Sequence, residues 1–228
     1  MNTFQGFPDD LICFLKDLSN NNNNRNWFTE NKSRYQSSVV EPVKSFIIAM
    51  GERLPEISMN FMADPRSNGG SMFRIYRDVR FSKDKRPYKE NVGCQFRHIA
   101  GKTAHAPGYY VHIEPNAIFA GGGIWMPPNP VLYQIRTAIV EHPDAWSDVL
   151  KCAESFGGIS GERLKRVPRD FDPESPHAED LKLKSIFISH NFDPDLISKP
   201  EIFDHILNTF IESAPLVQFI TQALGLPF

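Results

Sequence analysis

The stretch from residue 108 to residue 124 constrains the fold more than any other. Gly108 to Glu114 alternates, with Tyr109, Val111 and Ile113 on one side of an extended chain and Tyr110, His112 and Glu114 on the other. Pro115-Asn116 is a turn, and Ala117 to Ile124 returns as the partner strand of a hairpin. Val92 to His98 reads as a further strand, Gly101 to Gly108 as a turn region and Ser185 to His190 as another strand. A hairpin with one apolar side needs a cover, and the two ends of the chain supply it.

At the N-terminal end, Phe7 to Leu18 carries Leu11, Phe14, Leu15 and Leu18 at helical spacing, with Pro8 in the first turn. Trp27 to Leu54 carries a stripe through Tyr35, Val39, Val43, Phe46, Ile47 and Met50. Pro42 interrupts that stripe and predicts a kink or break near Ser38 to Glu41. At the other end, Asn129-Pro130 and Asp144 open helices, Ser175-Pro176 opens a short one, and residues 202–211 and 215–224 read as two more. No βαβ alternation appears. The expected fold is α+β, a central antiparallel sheet covered by N- and C-terminal helices in one domain over residues 1–228.

Composition narrows the function classes. Hydrophobic residues make up 41% of the 228 positions, enough for a sizeable core. The net charge of -2 excludes the broad positive surface that non-specific nucleic-acid binding requires. Cys13, Cys94 and Cys152 are scattered without a CxxC pair, so neither a disulfide framework nor a thiolate zinc site is indicated; Cys13 and Cys94 read as small buried hydrophobes. The N-terminus has no basic region ahead of its apolar residues, and no apolar run spans a bilayer. A soluble cytoplasmic protein without membrane contact is the expectation. The five asparagines from Asn20 to Asn24 read as a polar loop to which no function is assigned.

Charge is concentrated between Ser71 and Asn91, where seven basic and three acidic residues occur in twenty-one positions. If Phe73 to Phe81 is extended, Arg77 interrupts a face otherwise made of Phe73, Ile75, Val79 and Phe81. A guanidinium there needs a carboxylate or a ligand to share its donors, and Asp78, Asp84, Glu114, Glu179 and Asp180 are the internal options. Ser82 to Asn91 reads as a charged loop suited to phosphate, sulfate or carboxylate.

The run FRIYRDVRFSKDKRPYKENVG, followed by PGYYVHIEP and GGGIWMP, resembles a family of uncharacterised conserved hypothetical proteins found mainly in bacteria and also in fungi, a domain of unknown function. NWFTENKSRY, GERLKRVPRDFDPESPHAEDLKLKS and PLVQFITQAL extend the resemblance over nearly the whole chain. It implies that the charged stretch belongs to the family signature. It implies no reaction, cofactor or catalytic residue. The asparagine run departs from the pattern and looks peripheral.

These residues also admit other chemistry. His112 and Glu114 point the same way from one strand and could join His177, Glu179 and Asp180 in a metal site, yet the spacing matches no known ligand pattern, and no metal is assigned. The glycine run at 121–123 reads as a hairpin bulge, since no phosphate-loop spacing occurs. The leading expectation is a cleft floored by the sheet that binds or processes a small anionic ligand, gripped by Arg74, Arg77, Arg80, Lys83, Arg86 and Lys89, with Tyr88, His112 and Glu114 as proton-transfer candidates. Two alternatives stand beside it: a nucleic-acid-associated module using the same basic loop, and a scaffold whose charges form an internal ion-pair network. The residues leave open the cofactor, the oligomeric state and whether the protein is an enzyme.

Overall fold

A computed structural model describes residues 4–101 and 105–228. Helix α1 (Asp9–Asn20) begins after Pro8 and buries Leu11, Phe14, Leu15 and Leu18, the stripe its spacing predicts. The single long second helix is replaced by α2 (Arg25–Glu30), α3 (Lys32–Tyr35), a π-helical turn over Gln36–Val40 and α4 (Glu41–Arg53). Pro42 is the physical cause of the widened turn. It has no N–H to donate and its ring crowds the preceding turn, so the backbone takes one extra residue there. The break at Asn31 was not expected.

Four strands follow: β1 (Val92–Arg97), β2 (Gly108–Glu114), β3 (Ala117–Ile124) and β4 (Ile186–Phe192). They form one sheet in the order β1-β2-β3-β4 with every pair antiparallel. The hairpin bounds agree with the alternation. The turn expected over 101–108 lies partly outside the described residues. No strand covers Phe73 to Phe81; the segment meets the sheet through the bridge Met72↔Cys94 and the hydrogen bond from Phe73 N–H to Gly93 O, and pairs within itself at Tyr76↔Tyr88. Arg77 and its charged neighbours stay at the surface, and Phe81, 95% exposed, belongs to no apolar face.

Between β3 and β4 lie α5 (Asn129–Glu141) and α6 (Pro143–Ala153), and the chain continues after β4 into α7 (Glu201–Ala223). The short helix expected at 177–180 is a turn ending in one 3-10 turn at Asp180–Lys182. The two C-terminal helices expected from the sequence are one, with Pro215 inside α7. Burial on both sides of the proline explains why the helix runs through: Phe210, Leu216, Val217 and Ile220 are all buried against the sheet or its neighbours, and that packing outweighs one lost backbone hydrogen bond.

Register and alternation assign the two faces of the sheet. Val92, Cys94, Phe96, Tyr109, Val111, Ile113, Ile118 and Ala120 face the helices and join one apolar cluster with α1, α4 and the first half of α7. A second cluster, around Trp146, gathers α5, α6, Ile186 and Ile188 of β4 and the second half of α7. Gly122 lets α7 approach: a Cβ there would lie 2.6 Å from Ser213 Oγ and 2.7 Å from Val217 Cγ2. Cys94 is buried in the sheet, and burial pushes its thiol up to about 12. Cys13 corrects the sequence reading, because it lies opposite the apolar stripe of α1 and is exposed; Cys152 is exposed as well.

Arg34 ties α3 to α1. Its Nη2 and Nη1 donate to Asp10 and Asp17 at 2.5 and 2.7 Å, and Ser38 Oγ donates to Asp10 at 2.6 Å. The hydrogen bond from Arg34, followed by that from Ser38, holds the Asp10 carboxyl below its ordinary value. A carboxyl depressed in the folded state stabilises the fold above its unfolded value, near 4, and that contribution disappears as pH falls through the folded value. Arg34→Met is therefore expected to lose about 1 kcal/mol at pH 7, discounted for partial exposure. The gap from wild type should close below about pH 4 in urea titrations; an equal deficit at pH 3 and pH 7 would refute the electrostatic account.

Candidate functional site

The face of the sheet turned away from the helices carries Gly93, Gln95 and Arg97 from β1 and Gly108, Tyr110, His112 and Glu114 from β2. It is completed by Phe119, Gly121 and Gly123 from β3 and Phe187 and Ser189 from β4. A cavity of about 500 Å³ lies over it, walled by Phe73 on one side and by Trp125 and Phe187 on the other. The lining is mainly apolar and aromatic, with a few polar groups on the floor, the usual make-up of a small-molecule site. Two glycines keep the floor low. At Gly93, a Cβ would lie 2.6 Å from Tyr110 Oη and 3.0 Å from Phe73 Cδ2. Gly123, at φ 143°, lets β4 lie close.

Along the floor runs a chain of polar contacts set by the two-residue period of β2. Tyr110 Oη is 3.1 Å from His112 Nδ1, and His112 Nε2 is 3.2 Å from Glu114 Oε2. Asn91 Nδ2 lies 3.4 Å from the same Nδ1. The Glu114 carboxylate accepts and Asn91 Nδ2 donates, so the imidazole is assigned its proton on Nε2 and Nδ1 accepts from Tyr110. His112 stacks on Phe119 at 4.7 Å and 11°, which fixes the ring plane. Burial, with smaller contributions from Cys94 and Glu114, pushes the Tyr110 hydroxyl well above the usual phenol range. Side-chain exposure rises from 16% at His112 to 42% at Glu114. His112 and Glu114 were singled out from the sequence. Tyr110 was placed on their face but not counted with them, although the same alternation could have added it.

The structure separates the other expected site residues. Tyr88 is buried in the first core cluster, stacked on Phe28 at 4.3 Å. It is held there because Asn22, in the asparagine run, pins its backbone: Asn22 Oδ1 accepts from Tyr88 N at 3.1 Å and Asn22 Nδ2 donates to Tyr88 O at 3.0 Å. The run that looked peripheral thus anchors the charged stretch. Arg77 Nη1 and Arg86 Nη2 both donate to Asp84 Oδ2, at 2.6 and 2.8 Å, and Arg86 Nη1 donates to Glu90 at 2.5 Å. Of the partners proposed for Arg77, Asp84 is the one used. Contacts from Arg86, then Arg77, hold the Asp84 carboxyl far below the carboxylate range. Arg80 Nη2 donates to Asp78 Oδ2 at 2.7 Å, and the Asp78 carboxyl is lowered to about 2. Arg74 and Lys83 are exposed.

Of residues 71–91, only Phe73 is among the described residues lining the cavity. Lys89 reaches that wall: its Nζ lies 5.1 Å from the centroid of the Phe73 ring, which is itself 6.1 Å from the ring of Tyr110. Burial, and then the charge of Arg74, lowers the ammonium below its ordinary value. Lys89 has no carboxylate partner among the described residues, unlike Arg77, Arg80 and Arg86.

His177 and Asp180, weighed as metal ligands, serve the second cluster instead. Trp146 Nε1 donates to Asp180 Oδ2 at 2.9 Å, and His177 Nε2 lies 3.2 Å from the Pro143 carbonyl oxygen. Among the described residues no group of three or more His, Cys, Asp or Glu side chains is arranged to hold a metal ion. No described helix is long and apolar enough to cross a membrane.

The chain belongs to the family described as conserved hypothetical protein DUF2461, whose sequence profile matches residues 10–219. No curated protein and no solved structure matches it.

Proposed function

We propose that this family member binds a small anionic molecule with a flat apolar body on the open face of its sheet. The body lies between Phe73 and Trp125, over Phe119 and the glycine floor. Its acidic group lies at the Phe73 wall near Lys89, with Arg74 adding positive charge. The observation that carries this reading is the half-buried Lys89 ammonium over the aromatic wall, without a carboxylate partner among the described residues. Taking a charge out of water is unfavourable without a counter-ion, and a ligand carboxylate or phosphate supplies one. Arg77, Arg80 and Arg86 already spend their donors on Asp84, Asp78 and Glu90, so they hold the loop in shape and leave the ligand to Lys89 and Arg74.

A thermal-shift panel of aromatic carboxylates, aliphatic carboxylates and organic phosphates tests this, because a ligand specific to the folded state raises stability by mass action. Aromatic acids are expected to raise the Tm. Lys89→Met is expected to weaken their binding about tenfold, the size of one charge-assisted contact. No shift with any compound would sink the reading. Equal shifts for the acids and their neutral amides would remove Lys89 from it.

A further inference from the structure

We infer that Tyr110, His112 and Glu114 form a proton relay between the cavity and solvent, and that the site enolises a ligand carrying an acidic C–H next to a carbonyl. This rests on the binding reading above.

Three groups in hydrogen-bond sequence run from an apolar cavity to a half-exposed carboxylate, at 3.1 and 3.2 Å. That arrangement meets the geometric requirement for general acid–base work, a proton-transfer group whose partner is oriented by a third. Tyr110 and His112 both line the cavity, and the Tyr110 hydroxyl donates to His112 Nδ1. Tyr110 is the catalytic residue, and His112 and Glu114 are positioning residues that act through it.

The step balances without an added reagent. The ligand C–H bond breaks and its proton bonds to the Tyr110 oxygen. The proton of the phenol passes to Nδ1 of His112, and the electron pair of the C–H bond becomes the enolate. The imidazolium so formed keeps its Nε2–H on Glu114, whose negative charge stabilises it. Return of a proton along the same path restores the ketone; when the enolate instead takes a proton on oxygen from solvent and leaves as the enol, the imidazolium gives its Nε2 proton to solvent through Glu114, so the protein regains its starting charge. Burial favours the neutral phenol, so Tyr110 hands a proton through and does not persist as a phenolate.

An aromatic 2-oxo acid combines the features the site takes: a ring for the cavity, a carboxylate for Lys89 and an enolisable carbon beside Tyr110. The probe is phenylpyruvate in D2O with the full chain. Binding is read by saturation-transfer NMR, and exchange of the methylene protons by loss of their signal. The wild type is expected to speed exchange above the buffer rate. Tyr110→Phe should reduce the protein-dependent rate by about 100-fold while binding changes less than threefold. Glu114→Gln should lower the rate and alter its pH profile without weakening binding, which a merely structural carboxylate would not do. Binding without accelerated exchange overturns the relay and leaves the binding reading standing. Absence of binding by phenylpyruvate and by the whole acid panel overturns both. Wild-type exchange in Tyr110→Phe removes Tyr110 from the chemistry. If Tyr110→Phe does not fold, Glu114→Gln, at the exposed end of the relay, decides the matter by its pH profile.

Discussion

Valine at Gly122 is expected to destabilise the protein by about 3 kcal/mol, at the upper end for forced overpacking of a core. Two effects oppose each other. Glycine within a strand is unfavourable by roughly 0.5–1 kcal/mol relative to alanine, and a β-branched residue suits a strand better still. Against this, the first added carbon would lie 2.6 Å from Ser213 Oγ and 2.7 Å from Val217 Cγ2, both well inside van der Waals contact. Neither can swing away, since Ser213 and Val217 are buried and α7 is held by apolar clusters along its length. The clash therefore outweighs the gain in propensity. Urea unfolding should show a lower midpoint for Gly122→Val and a smaller loss for Gly122→Ala. A valine variant as stable as wild type would mean that α7 does not pack on β3 as described.

Removal of the Trp146 side chain is expected to cost about 3–5 kcal/mol, the range for a large aromatic truncated to alanine in a core. Trp146 is fully buried, its ring lies 5.0 Å from Phe219 of α7, and its indole N–H donates to Asp180. Trp146→Ala thus opens a cavity among α6, α7 and the 180–183 turn and also leaves Asp180 with one donor fewer. Trp146→Phe separates the two effects, because it keeps most of the apolar volume and removes only the donor. Its loss should be about 1–2 kcal/mol. Equal losses for the two variants would mean that the hydrogen bond, and not the packing, holds this cluster together.

The parts of this fold that were legible in the sequence are those whose signal is local and periodic. The alternation of Gly108–Glu114 gave the strand, its two faces and the common direction of His112 and Glu114. The helical spacing of Leu11, Phe14, Leu15 and Leu18 gave α1 and its buried side. Where local and tertiary preferences conflict, the local reading failed. Pro215 argues for two helices, but buried side chains on both sides of it carry α7 through as one. The candidate site was harder to read because its meaning depends on which side chains meet. Charge density drew attention to Arg77, Arg80 and Arg86, whose carboxylates turned out to be their own near neighbours in the chain. Nothing local distinguishes Lys89 from these three, since its lack of a carboxylate partner among the described residues appears only in the folded arrangement. Tyr88 and Tyr110 are both tyrosines in the signature; Asn22, a residue 66 positions from Tyr88, holds one of them inside the core.

The place of α7 in the chain bears on how the protein is made. Each strand pairs with the next in sequence and only the β3–β4 connection is long, so the β1-β2-β3 meander can assemble from nearby segments as the chain is synthesised. The helix that covers β3 and joins both apolar clusters begins only at Glu201. Until that segment leaves the ribosome, Ile118, Ala120 and Gly122 present an uncovered apolar strip and both clusters lack their α7 side chains. Nascent chains stalled before residue 200 therefore expose a surface suited to chaperone binding.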